Sequence, residues 1–114
     1  MGYTTNFVGS LKTTPKLTVK QKNTINNFKE VRHYQDGYPG IWCQWIIKDG
    51  VLVWDGSEKF YNYTEWLQYL IDNYFTEWKV LLNGQIEFQG GRIEDRGLIK
   101  VTNNIIEVIK PKYE

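Results

Sequence analysis

Hydrophobic and polar positions change period several times along the chain, and each change marks an element. Tyr3, Thr5, Phe7, Gly9 and Leu11 occupy alternate positions, the period of a strand with one buried face. Pro15 ends that strand, since it brings no N–H to a ladder. Thr18-Val19-Lys20-Gln21 reads as a capping box: the Thr18 hydroxyl accepts from the Gln21 N–H, and the Gln21 side chain reaches back. A helix is expected from there to about Lys29, with Ile25 and Phe28 toward the core and its lysines toward water. Asp36-Gly37 and Pro39-Gly40 make residues 32–40 a loop.

Residues 41–47 are aromatic and β-branched, which predicts a strand. Asp49-Gly50 is a two-residue hairpin turn, because both central positions need positive φ. Residues 51–54 return, and Asp55-Gly56-Ser57 breaks the strand. Asn62-Tyr63-Thr64-Glu65 is a second capping pattern. From it, Tyr63, Trp66, Leu67, Leu70, Ile71, Tyr74 and Phe75 form a broad helical stripe. Residues 80–89 read as a strand with Leu82, Gly84, Ile86 and Phe88 on one face, and 98–102 with 105–109 as a hairpin about Asn103-Asn104. Phe7-Val8-Gly9-Ser10-Leu11 and Leu82-Asn83-Gly84-Gln85-Ile86 share an apolar-x-Gly-x-apolar pattern. That pattern suits two strands, each with a glycine where another backbone comes close.

The order β-α-β-β-α-β-β-β implies an α+β two-layer sandwich: one mostly antiparallel sheet with two helices on one face, a ferredoxin-like variant. The surplus aromatics are then expected on the other face.

Composition narrows the field. At 114 residues, 41% hydrophobic and 24% charged, the chain is one globular domain. A net charge of +1 argues against duplex DNA or a charged membrane as partner. Residues 1–34 nevertheless carry Lys12, Lys16, Lys20, Lys22, Lys29 and Arg32 against Glu30 alone. Two readings stay open and compatible: a solvated helix face, or the positive wall of an anion site. One cysteine, Cys43, and one histidine, His33, build neither a disulfide framework nor a structural zinc site. With no apolar run of membrane length and no signal-peptide pattern, a cytoplasmic location is expected, the host's cytoplasm if a phage encodes the chain.

No phosphate loop, dinucleotide fingerprint, metalloprotease helix or nucleophile elbow is present, and no cofactor or metal is implied. One cluster stands out. Trp54-Asp55-Gly56-Ser57-Glu58-Lys59-Phe60-Tyr61 follows a strand end and leads into a helix, and Ile93-Glu94-Asp95-Arg96-Gly97 is a second charged turn. If the two meet at one end of the sheet, Lys59 and Arg96 offer cations for an anion. Asp55, Glu58 and Asp95 offer acceptors for hydroxyl or amine donors, and Trp54 and Tyr61 offer rings for stacking. Arg32, His33, Trp42 and Gln44 complete the candidate set. The plain alternative is that Asp55 caps its turn while Glu58 and Lys59 pair on the surface.

The strings Pro39-Gly40-Ile41-Trp42-Cys43-Gln44-Trp45, Trp54 through Tyr61, Glu65-Trp66-Leu67, Leu82-Asn83-Gly84, Gln89-Gly90 and Asp95-Arg96-Gly97 resemble a family of small uncharacterised bacterial and phage proteins. The likeness runs over residues 7–109 and implies a shared fold with no assigned reaction. Ser57 stands where the family pattern has glycine, and Gly91-Arg92 where it has an acidic pair. The second departure makes that turn more basic and favours an anion over a metal.

The functional expectation is a small non-enzymatic binding protein that sequesters an anionic, nucleotide-like ligand as an anti-defence device. Alternatives are a protein–protein inhibitor or adaptor using an aromatic patch on a host protein, and a small hydrolase with Glu58 or Asp95 as base and His33 as acid. Nucleic acid is disfavoured by the near-zero charge, and homo-oligomerisation is open.

Overall fold

The structure is a computed structural model that describes residues 5–29, 37–40, 42–57, 60–91 and 95–110. Its elements are β1 (Asn6–Thr14), α1 (Val19–Lys29), β2 (Trp45–Lys48), β3 (Val51–Trp54), α2 (Tyr63–Leu70) prolonged by a π-helical turn (Ile71–Phe75), β4 (Leu81–Gln89), β5 (Arg96–Thr102) and β6 (Ile105–Ile109). The strands form one six-stranded sheet in the order β2-β3-β1-β4-β5-β6, and every pair is antiparallel. β3 lies between β1 and β2, so the β1-α1-β2 unit is split. The expected ferredoxin-like arrangement is not matched exactly, because β5 and β6 extend the sheet beyond β4.

Local chemistry explains most boundaries. The capping box forms as read: Thr18 Oγ1 accepts from the Gln21 N–H at 3.1 Å, and Gln21 Oε1 accepts from the Thr18 N–H at 2.9 Å. Asp49 (φ 53°) and Gly50 (φ 80°) make the β2–β3 turn, and Asn103 (φ 47°) and Asn104 (φ 71°) the β5–β6 turn. Two expectations are corrected. β2 begins only at Trp45, because Cys43, Gln44 and Trp45 are buried in succession, which an alternating strand does not allow. At the start of α2, Asn62 is left-handed and makes no side-chain cap bond; its Nδ2 donates instead to the Pro39 carbonyl at 2.6 Å.

The helical stripe ends in a Schellman motif. The Val80 N–H donates to the Phe75 carbonyl at 2.9 Å and the Lys79 N–H to the Thr76 carbonyl at 3.1 Å, with Lys79 left-handed at φ 58°.

Alternation assigns the sheet faces. Phe7, Leu11, Trp45, Ile47, Leu52, Leu82, Ile86, Phe88, Ile99 and Val101 point to one side and are buried with Ile25 of α1 and Trp66, Leu67 and Leu70 of α2. Both helices therefore cover the same face. Among the described residues the surplus rings lie on this helix side too, not on the open face. Phe7 meets Trp45, Trp54, Phe60 and Tyr63 at centroid distances of 4.9–5.8 Å, and Phe28, Tyr38, Trp66 and Tyr69 form a second cluster. Rings carry the apolar area a small core needs, so they go inward.

Two asparagines imitate a neighbouring strand. At the outer edge of β2, Asn26 of α1 accepts from the Ile47 N–H at 2.7 Å and donates to the Ile47 carbonyl at 3.2 Å. Asn104 accepts from the Leu82 N–H at 2.6 Å and donates to the Val80 carbonyl at 2.9 Å. At the opposite side of the sheet, β6 leaves Ile105, Val108 and Ile109 exposed.

Candidate functional site

Several chain segments converge at one end of the sheet. β1 starts there, with Asn6 opposite Gln89; β4 ends there, with Gln89 opposite Arg96; and β6 ends there, with Leu98 opposite Ile109. The β4–β5 connection is pinched shut by the Gly90 N–H donating to the Asp95 carbonyl at 2.6 Å. Residues 60–63 enter α2 beside it. Successive side chains on a strand point to opposite faces, so Asp95 and Arg96 serve two different hollows.

The hollow on the helix side, about 260 Å³, is lined by Thr5, Tyr61, Asn62, Asp95 and Lys110 over the rings of Phe60, Tyr63 and Phe88. Tyr61 is 68% exposed, so its ring is available to a guest. The hollow on the open face, about 690 Å³, has Arg96 and Glu87 with Asn6, Gln89, Val8 and Leu98. Among the described lining residues, each hollow thus pairs one cation with one carboxylate; neither is a purely positive wall. Such a lining suits a guest that carries both an anionic group and hydroxyl or amine donors.

Tyr61 from one string and Asp95 from the other line one hollow, and Arg96 stands behind it on the open side. Other candidates have different tasks. The Trp54 indole N–H donates to Gln44 Oε1 at 3.1 Å, and the Gln44 carbonyl accepts from the Asp55 N–H at 3.0 Å. Gln44 is buried and joins the ends of β2 and β3. Asp55 Oδ1 accepts from the Ser57 N–H at 2.7 Å, the turn-capping role. Trp42 is 47% exposed and does not line either hollow. Arg32, His33, Glu58 and Lys59 lie outside the described residues.

Lys110, Thr5 and Glu87 were not singled out from sequence. Lys110 had a signal: pairing outward from the Asn103-Asn104 turn sets Leu98 opposite Ile109 and brings the next residue, Lys110, level with the Asp95-Arg96 turn.

Cys43 is fully buried, and burial, with the Asp55 carboxylate adding to it, pushes its thiol up to about 12. It stays protonated at neutral pH and is no nucleophile. Among the described residues no group of three or more His, Cys, Asp or Glu is placed to hold a metal ion, and no helix is long and apolar enough to cross a membrane. No protein-family model matches the chain, and comparison with curated proteins and with solved structures gives no match either.

Proposed function

We propose that this chain is a small binding protein without chemistry of its own, which holds an anionic, ring-bearing ligand of nucleotide type at the Tyr61–Asp95 end of the sheet. The observation that carries this reading is the shared hollow itself. An exposed ring, a carboxylate and an ammonium, from three distant parts of the sequence, face one small space. Tyr61 stacks on the base, which is worth roughly 1–3 kcal/mol. Lys110 takes an anionic group, and Asp95 accepts from a sugar hydroxyl or an amine. A chain this small, with rings beside basic groups and no recognisable catalytic motif, suits a protein that acts by occupying its ligand, and the role we assign is anti-defence: sequestering a nucleotide signal in the host cytoplasm.

Calorimetry of the full chain against cyclic and linear nucleotides tests this. At least one nucleotide binds, and Tyr61→Ala and Lys110→Gln weaken it, the first by about tenfold or more, the scale of one lost stacking contact. Silence of a folded protein across the panel ends this reading. A second reading, a protein–protein adaptor, draws on the exposed Trp42 and Tyr61 and on Val8 at 69% exposure, since aromatic residues dominate binding hot spots. Capture of a host protein that Trp42→Ser abolishes, together with a silent panel, favours the second.

A further inference from the structure

Among the described residues no strand lies beyond β6. The direction of its backbone groups follows from its turn. Asn103 and Asn104, with φ of 47° and 71°, make a two-residue hairpin turn, so the closing pair of Thr102 and Ile105 is hydrogen-bonded, and bonded pairs recur at every second residue. Ile105, Glu107 and Ile109 therefore spend their N–H and C=O groups on β5. Ile106 and Val108 turn theirs to the outer edge.

The side chains divide the same way. Ile106 and Val108 stand opposite Val101 and Ile99, which are buried on the helix side, so Ile105, Glu107 and Ile109 face the open side. The helix layer stops short of β6, since Val108 is 41% exposed although it faces that layer. Edges that stay single carry lysine, proline or a bulge. β6 has none of these: its five residues pair in step with β5, and Glu107 is its one charge.

Ile105-Ile106-Glu107-Val108-Ile109 reads apolar, apolar, acid, apolar, apolar in either direction. An antiparallel neighbour is met in reverse, so the strand that this pattern matches is its own copy. A two-fold axis normal to the sheet keeps each side chain on its own face. Centred on Glu107, it sets Ile106 against the partner's Val108 and Ile105 against the partner's Ile109, and the outward backbone groups of Ile106 and Val108 bond across the axis. A centre at Ile106 needs the Asn104 N–H, which already goes to the Leu82 carbonyl at 3.2 Å. A centre at Val108 sets Ile106 against lysine and Ile109 against glutamate. In the favoured register the two Glu107 carboxylates meet at the axis, each with Lys100 beside it on β5.

We propose that β6 is the contact between two copies of this chain, which join antiparallel about Glu107 into one continuous sheet with all helices on one face. A five-residue strand offers less than the ~800 Å² per partner of a standard interface, so the pair is weak and depends on concentration. This contact shares no residue with the Tyr61–Asp95 hollow and does not rest on the proposed function.

Sedimentation equilibrium of the full chain up to millimolar concentration, with amide NMR of the same samples, tests this. The mass rises from 13.5 kDa toward twice that value, and the shifts that follow concentration centre on Ile106 and Val108. Val108→Pro removes an outward N–H that the single chain does not use. Each copy then loses one contact hydrogen bond, and association weakens about tenfold. Glu107→Gln lifts the repulsion at the axis and tightens association about two- to fivefold. Glu107→Lys mixed with the parent chain pairs across more tightly than either pairs with itself. The two Glu107 variants change one exposed side chain, so they decide the matter even where the proline costs the fold. Four results overturn the inference: a single-chain mass throughout, association that a folded Val108→Pro leaves unchanged, no tightening by Glu107→Gln, or no preference in the mixture.

Discussion

Gly9 and Gly84 press the same two strands together from either side of one contact. A Cβ on Gly9 would stand 2.5 Å from the Gln85 carbonyl oxygen, and one on Gly84 would stand 2.6 Å from the Ser10 carbonyl oxygen. In the β1–β4 register Gly9 faces Ile86 and Leu11 faces Gly84, with Ser10 opposite Gln85 between them. The apolar-x-Gly-x-apolar pattern is thus one device used twice about a local two-fold.

Both glycines have positive φ, 125° and 146°, a region that other residues enter only under strain. Gly9→Ala and Gly84→Ala each lower stability by about 2–3 kcal/mol in urea denaturation. The double variant loses less than the sum, because a single parting of β1 and β4 relieves both clashes. Full additivity would show that the two contacts are independent.

Lys79 points the other way. It holds the left-handed position of a Schellman motif, where glycine is the usual occupant. Lys79→Gly raises stability by about 1 kcal/mol, read as a higher urea midpoint at unchanged slope. A drop in the midpoint contradicts the assignment of this helix end.

Asn26→Ala removes both hydrogen bonds to Ile47 and costs about 1–3 kcal/mol. It also uncovers the edge of β2, so light scattering on standing rises relative to the parent. Asn104→Gly keeps the positive φ of its turn and so isolates the bonds to Val80 and Leu82; its loss falls in the same range. A neutral Asn104→Gly would mean that the turn alone carries the hairpin.

Cys43 gives a pH dependence of known sign. The fold holds its thiol protonated up to about 12, while the unfolded chain releases that proton near its ordinary 9.0. Between those values the folded state binds more protons, so stability falls as pH rises, by at most about 1.4 kcal/mol per unit. Below that window this group contributes no slope. Burial also raises the Tyr69 and Tyr74 hydroxyls, which adds loss of the same sign once pH passes their ordinary 10.0. Urea midpoints across a pH series check this, and Cys43→Ala flattens the first part of the decline. Near neutral pH a thiol reagent leaves the native protein unlabelled and labels it in urea.

Much of this architecture was legible from local signals. The Thr18–Gln21 capping box, the Asp49-Gly50 and Asn103-Asn104 turns, and the two close-approach glycines each obey rules that act within a few residues. The asparagine at position 62 was misread because its amide bonds Pro39, a partner far off in the chain that no local pattern reveals. The placement of the rings was misread for a similar reason: periodicity says which residues are apolar, while the packing of helix against sheet says where the volume is. At the site, the meeting of Tyr61 with Asp95 followed from expecting both turns at one end of the sheet. Lys110 was missed because a residue just past the last strand gains its meaning only from hairpin register.

The two outermost strands also differ. Among the described residues, Asn26 takes up the Ile47 backbone on the border of β2, whereas β6 has no strand beyond it and leaves Ile105, Val108 and Ile109 exposed. Pairing along β6 cannot chain indefinitely: once two copies join β6 to β6, that border is consumed in both and growth by this route stops. Association by this route is self-limiting at the pair, a closed symmetric union in place of a fibre.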